Sequence, residues 1–449
     1  MYSAMARPIT GAGPLATLPR MVAQPQQAMY QMPSGVALKV WVVQTGESLP
    51  TDDPAERPMR ATQLARALIA RGHEVTVISS AFWHQKKQHR AMKVTEERFH
   101  PRGTVVLVPS PGYRRHVGPA RFHDHWRLAH AFREVAKGLP GPDAAIVGFP
   151  PIEIAWEAVH AARRRGAAVL LDVKDQWPEI FWERLPAPLR PLGKAALTPL
   201  RRLAARSFRE ADGITSMSEP FLEWALARAG RPRRAADGAF PFGVDMPGAA
   251  AKPTTDEAGD RISFVGSITE SFDFATLIAG FRASSFSARG GRLVFCGSGD
   301  ALPTVQRLAA GHPGIEFRGW IKSDAIAVEL ARSVLGAAPY VDRGDFRMSI
   351  PNKVCEYLAH GVPVLASDVG EGARLVRTHD VGTTYEPGSA ESCALCIDSA
   401  TAADRATSQA VRRRAHEFFT SEFLATEVYG RFVRHLERVV EAKRRGFAP

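Results

Sequence analysis

From residue 38 onward, short apolar runs alternate with longer stretches whose apolar positions recur every three or four residues. The run LKVWVV at 38–43 is too short for a helix and rich in β-branched residues, so it predicts a strand. A polar loop, 44–58, leads to a helix at 59–71 with Leu64, Ala67 and Leu68 on one face. Gly72 ends that helix, as a glycine free to take positive φ commonly does. EVTVIS at 74–79 predicts the next strand. Strand, helix, glycine, strand is a βαβ unit, and such crossovers build parallel sheets.

The alternation continues with strands at 104–109, 144–147, 168–172 and 213–216, and helices at 121–137, 152–165, 191–209 and 220–229. A turn-rich stretch at 230–260 has few apolar runs and marks a boundary. The pattern then restarts, with strands at 261–265, 292–296, 315–318, 334–338 and 362–366. Helices are predicted at 274–282, 304–310, 324–332 and 353–359, followed by a long helical tail, 406–445. The prediction is an α/β chain of two doubly wound, Rossmann-like domains, 36–240 and 241–410. A disordered tail, 1–35, precedes them, and helices at 411–449 cross back to the first domain. Within the tail, Met32 offers an alternative start. Open parallel sheets bind ligands beyond the carboxyl ends of their strands, so the expected site is the cleft between the domains.

Charge adds an asymmetry. Residues 36–240 hold 32 Lys+Arg against 21 Asp+Glu, whereas 241–449 hold 24 against 25. A basic first half suits an anionic partner, either a membrane surface or a phosphorylated substrate. Nucleic acid is disfavoured because no recognition motif is present. No apolar run approaches the ~20 residues of a membrane span, and 1–35 lack the apolar core of a signal peptide. The expectation is a cytoplasmic protein, peripheral on the inner face of the cell membrane. Arg114, Arg115, His116 and Arg121 form one basic cluster. Phe181, Trp182, Leu185 and Leu189, then Arg190, Lys194, Arg201, Arg202, Arg206 and Arg209, form an apolar-to-basic stretch with an interfacial profile. Four cysteines are too few for a disulfide framework, and the lone pair Cys393–Cys396 reads as helix packing rather than zinc ligation.

Several chemistries drop out. The chain has no P-loop, no G-x-G-x-x-G after its first strand and no G-x-S-x-G elbow. It also lacks a D-x-D pair to clamp a metal. What remains is a set of strand ends. The segment SIPNKVCEYLAHGVPVLAS at 349–367 starts a helix at Pro351, placing Asn352, Lys353 and Glu356 in its first two turns. A helix N-terminus and a lysine suit a pyrophosphate, and a carboxylate can accept two hydrogen bonds from a vicinal diol.

This segment resembles the nucleotide-sugar motif of family 4 glycosyltransferases, P-x-K-x-x-E-Y-x-A-x-G-x-P-x-[VI]. ISFVGSITESFDFATLI at 262–278 resembles the opening strand, loop and helix of that family's donor domain, with CGSGD at 296–300 and EFRGW at 316–320 following in order. QTGESLP at 44–50, RPMRATQLAR at 57–66, SSAFWHQKK at 79–87 and DVKDQWPE at 172–179 resemble the first domain of a subgroup from bacterial polysaccharide clusters. The resemblance implies the GT-B fold and transfer of a sugar from a nucleotide-sugar to an acceptor, with retention and without a metal or other cofactor. It assigns Glu356 to the donor ribose and Lys353, Asn352, Gly266, Ser267, Arg347 and Gly297 to donor binding. Gly46, Glu47 and Arg60 fall on the acceptor side. Lys174, Asp175 and Glu179 are the candidate catalytic groups, with Asp175 placed to position or deprotonate a hydroxyl.

The chain departs from the pattern at three places. Ser267 and Ser271 stand where relatives carry Arg and Lys, which shifts the phosphate charge to Lys353, Arg347 or Arg343. Met348 stands where a second glutamate touches the donor sugar; Asp345 or the backbone of 346–349 is the candidate substitute. VGFPPI at 147–152 holds no histidine where many relatives have one. The expected acceptor is a lipid-linked sugar. Two other readings share the architecture: a sugar-nucleotide 2-epimerase, and a non-catalytic nucleotide-binding member.

Overall fold

The computed structural model describes residues 36–446 apart from 54–55, 57, 115–117, 184 and 247–258. The predicted tail 1–35, much of the boundary stretch, and Arg115 and His116 of the first basic cluster lie outside the described residues.

Fourteen strands among the described residues make two main sheets. The first contains β1 (Lys39–Val43), β2 (Glu74–Ser80), β3 (Thr95–His100), β4 (Gly103–Val108), β5 (Ala144–Phe149), β6 (Ala168–Val173), β7 (Gly213–Ser216) and β8 (Gly238–Ala239). The second contains β9 (Arg261–Val265), β10 (Arg292–Cys296), β11 (Ile315–Gly319), β12 (Ser333–Ala338), β13 (Val364–Ser367) and β14 (Gly382–Tyr385).

The first sheet runs β8-β7-β6-β5-β1-β2-β4-β3, parallel except where β3 pairs antiparallel with β4. The second runs β11-β10-β9-β12-β13-β14 and is parallel throughout. In each sheet the chain works outward from the middle strand, then returns to build the other side. The crevices where the order reverses lie between β1 and β5 and between β9 and β12, where open α/β sheets bind ligands. Central strands are buried on both faces: β5 and β6 show no half-exposed position, which is why they read as apolar runs apart from Asp172 near the end of β6.

Two departures from expectation bear on the first domain. β3 (TEERFH) is a partly exposed edge strand without an apolar run, so alternation could not reveal it. The helix expected at 191–209 divides into Arg190–Ala196 and Thr198–Glu210. Pro199 has no N–H to continue the first helix's hydrogen bonds but is tolerated in the first turn of the second, so the break falls at Leu197. The tail forms two helices, Arg405–Glu422 and Ala425–Arg444. The second lies in the first domain's core: Val428, Phe432, Val433 and Leu436 pack with Val40, Leu64 and Leu68.

The linker between sheets is anchored where it leaves the first domain. Arg60, on the helix Arg60–Ala70, donates through Nε and one terminal nitrogen to both Asp172 oxygens, at 2.7 and 2.9 Å. Its other terminal nitrogen donates to the Phe240 and Pro241 carbonyls, each at 3.0 Å. Among the described residues no helix is long and apolar enough to cross a membrane.

Candidate active site

On the second domain, the loops after β9 and β10 run in backbone contact. The Gly266 N–H donates to the Cys296 carbonyl at 2.8 Å, and Ile268 N–H to the Ser298 carbonyl at 2.9 Å. Gly297, at φ +151°, fits because a Cβ there would lie 1.9 Å from the Gly266 carbonyl oxygen. The helix Asn352–Ala359 is pinned over this crevice by Tyr357. The phenol accepts from Val265 N–H and donates to the Ala337 carbonyl, both at 3.1 Å, spanning β9 and β12.

One turn back on that helix, the Lys353 ammonium donates to the Val265 carbonyl and lies 3.9 Å from the centre of the Phe264 ring. Burial pushes its pKa down to about 8, partly offset by Glu356. Glu356 is half-buried on the same helix, and Asn352 and Ser267 are exposed. The crevice therefore holds a lysine and a helix N-terminus, which can donate to a diphosphate, and a carboxylate, which can accept from a diol, within one short segment. Arg347 is exposed, and its guanidinium is held by both Asp342 oxygens at 2.7 Å. Arg343 lies over the Phe346 ring at 4.4 Å. Met348 joins the domains: its carbonyl accepts from the Ser218 hydroxyl, and its sulfur lies 3.7 Å from the Gln176 amide. The Asp345 side chain lies outside the described residues.

The first domain opens a cavity of about 350 Å³ at the carboxyl ends of its strands. Gly46, Glu47, Lys174 and Asp175 line it. Lys174 donates to Gln44 and Glu47, each at 2.5 Å. The second Glu47 oxygen accepts from Ala61 N–H at 2.8 Å, so this carboxylate also caps a helix start. Asp175 accepts from Gln176 N–H at 2.8 Å and the Trp177 indole at 3.1 Å. Two other expected residues are engaged elsewhere. Glu179 is buried and accepts from Arg228 at 2.9 Å, and it does not line the cavity. Arg60 faces inward to Asp172 and the linker rather than an acceptor, because its position on the helix points it at the sheet.

The cavity also contains residues that sequence reasoning did not gather: His84, Tyr113, Arg121, Asp124 and His125. Arg121 was expected in a surface cluster. Instead it is half-buried, with its guanidinium 4.6 Å from the Trp177 ring and 5.6 Å from that of Tyr113. Burial raises the Tyr113 pKa to about 12 and lifts that of Asp124, while it pushes His125 down to about 3. The available signal was Asp124-His125 standing at the phase of the helix Pro119–Gly138 that Leu128, Ala129 and Phe132 bury.

Comparison with known proteins bears on this two-part cleft. Residues 59–236 match the family described as "Glycosyl transferase 4-like domain", and 259–402 match "Glycosyl transferases group 1". The chain belongs to the GT-B glycosyltransferases of the group 1, family 4-like type. The matches place this transferase's two families on its two sheets. Among solved structures, sucrose-phosphate synthase from Thermosynechococcus elongatus is 16% identical with a TM-score of 0.63, over 90% of this chain and 99% of the other. HepE from Anabaena, solved in complex with UDP, is 13% identical with a TM-score of 0.60, over 89% and 99%. A glycosyltransferase from Rickettsia africae ESF-5 is 14% identical with a TM-score of 0.59, over 90% and 99%. These likenesses show the fold. No curated protein matches the chain in sequence.

Proposed function

We propose that this glycosyltransferase moves a sugar from a nucleotide-sugar to a lipid-linked acceptor, with retention and without a divalent metal, in bacterial exopolysaccharide or lipopolysaccharide synthesis. The observation that carries the donor half is Lys353 at the Gly266 loop with Glu356 further along the same helix. Lys353 and the helix N-terminus stabilise the leaving diphosphate, an electrostatic role whose removal typically costs on the order of 10²–10³ in rate. The acceptor hydroxyl enters from the first-domain cavity past Lys174 and Asp175. It attacks on the face the diphosphate leaves, and a departing phosphate oxygen takes its proton.

The acceptor's lipid rests on the outer surface of the first domain. The helix Arg190–Ala196 buries no residue, and Leu189 and Leu192 are 47% and 68% exposed. Arg202, Arg206 and Arg209 are exposed on the next helix. Apolar tips beside exposed arginines suit an anionic bilayer, where each basic residue is worth about 1 kcal/mol. On this reading the protein works in the cytoplasm, peripheral to the membrane.

The test is nucleotide release from UDP-, GDP- and ADP-sugars, with and without polyprenyl-diphosphate-linked sugar, in the presence and absence of EDTA. Release that depends on the lipid acceptor and survives EDTA supports the reading. A reversible requirement for Mg²⁺ or Mn²⁺ removes its metal-independent part, and release indifferent to acceptor removes the transfer itself. Glu356→Gln is expected to weaken nucleotide binding by about 10- to 100-fold, the worth of a charge-assisted hydrogen bond.

A further inference from the structure

We infer that His125, which lines the first-domain cavity, and its neighbour Glu153 act as one proton-coupled pair, and that the His125 ring positions the acceptor hydroxyl there. This rests on the acceptor reading of that cavity.

His125, 3% exposed, lines the cavity from the helix Pro119–Gly138. Glu153, 9% exposed, lies in the first turn of Ile152–Arg163, directly after Pro150 and Pro151, which line the same cavity. His125 Nδ1 and Glu153 Oε2 are 3.9 Å apart, and neither atom has a hydrogen-bond partner among the described residues. Buried polar atoms left unpaired are costly, and a shift of about 1 Å brings these two into hydrogen-bonding range. Each is placed to satisfy the other.

The surroundings decide what the pair can do. Tyr113 and Trp177 flank the imidazole, with ring centres 6.1 and 5.6 Å away. Burial first, then Arg121 and His84, disfavour a charged imidazole, so the ring stays neutral. Asp124 on the same helix accepts from Gly112 N–H at 2.6 Å, and Lys174 and Asp175 line the cavity from the loop after β6. Burial lifts Glu153 to about 7, opposed by its own backbone N–H and by Arg121.

A neutral imidazole carries one N–H and one lone pair, so the partner of Nδ1 sets what Nε2 presents. When Glu153 is ionised, Nδ1–H donates to it and Nε2 keeps its lone pair. When Glu153 is protonated, its O–H donates to Nδ1 and Nε2 carries the hydrogen. The ring holds one proton in both states; the carboxyl proton is exchanged with solvent. Above about pH 7, Nε2 accepts from the acceptor hydroxyl and leaves that oxygen's lone pairs free to attack. An imidazole this weakly basic does not remove the proton, so His125 positions rather than deprotonates.

The experiment uses the full chain labelled with ¹⁵N-histidine, followed by long-range ¹H–¹⁵N correlation from about pH 5.5 to about pH 8.5. His125→Gln identifies the signals. In the wild type, His125 is expected to stay singly protonated while its hydrogen moves from Nε2 to Nδ1 through about pH 7. In Glu153→Gln, one tautomer is expected to persist throughout. A wild-type His125 that becomes doubly protonated, or keeps one tautomer across the range, overturns the pair. Methyl α-D-glucopyranoside, added in excess at the upper pH, is expected to shift His125 Nε2 and leave His312 of the second domain unchanged; no shift overturns the positioning role. UDP titration in parallel separates the two readings. Intact UDP binding with a silent His125 overturns this inference alone, whereas a responsive His125 without UDP binding strikes the donor assignment.

Discussion

A Cβ built on Gly266 would come within 2.7 Å of the Lys353 ammonium. The glycine and the lysine are 87 residues apart in sequence, and the fold brings them together at one crevice. Gly266 also sits at φ +126°, where L side chains are strained. Gly266→Ala is therefore expected to displace Lys353 from its carbonyl and lower UDP affinity by about 10- to 100-fold, the worth of one charge-assisted hydrogen bond. Isothermal titration of Gly266→Ala and Lys353→Met checks this. Unchanged affinity in both would remove Lys353 from the donor site.

The buried lysine also sets a pH dependence. In the free protein its pKa is lowered to about 8, chiefly by burial. A bound diphosphate favours the charged form and raises that value. Binding between the two values takes up a proton, so UDP affinity is expected to fall as pH rises above about 8, approaching tenfold per pH unit. Calorimetry in buffers of different ionisation enthalpy reads the uptake directly. Lys353→Met is expected to flatten the profile, and a wild-type profile already flat through pH 9 contradicts the assignment.

Arg60 and Asp172 form a buried bidentate pair, with side chains 1% and 3% exposed. Burial opposes ionisation of Asp172, but Arg60 and Lys174 outweigh it and keep its pKa low. Arg60→Met leaves that carboxylate with the Thr215 hydroxyl at 2.9 Å as its remaining side-chain donor. Breaking such a pair typically costs about 3–5 kcal/mol. Urea unfolding of the first domain should show a loss of that size, with less in the double variant Arg60→Met/Asp172→Asn. A loss under about 1 kcal/mol would mean that the buried pair contributes little to the domain's stability.

The basic outer helices are expected to bind anionic vesicles in a salt-sensitive way, because the screening length shrinks from about 10 Å at 0.1 M to about 3 Å at 1 M. Co-sedimentation with phosphatidylglycerol-containing and neutral vesicles measures it. Changing Arg201, Arg202, Arg206 and Arg209 to Gln should release the protein and leave UDP affinity intact. Arg201 contributes least, since it is half-buried with its guanidinium 5.8 Å from the Trp182 ring. Equal binding to both vesicle types would mean that the arginines only solvate their helix.

Local pattern by itself determined the alternating elements, the parallel sheets and the short helix that carries Lys353 and Glu356. Each depends on neighbours within a few residues: a β-rich run, a glycine stop, or Lys353 and Glu356 on one short helix. The strand-end position also put Lys174 and Asp175 at the crevice, where both line the cavity, whereas Glu47 came from the family resemblance. Only the tertiary structure decided direction. Glu179 and Arg60 have the right chemistry, but helix phase turns one toward Arg228 and the other toward Asp172. Arg121 reads as surface charge until Tyr113 and Trp177 close around it. His125 and Glu153 belong to different helices, and each alone is an ordinary polar residue on a buried face. Their pairing exists because the two helices pack on one side of one sheet, and that contact is written in no local pattern.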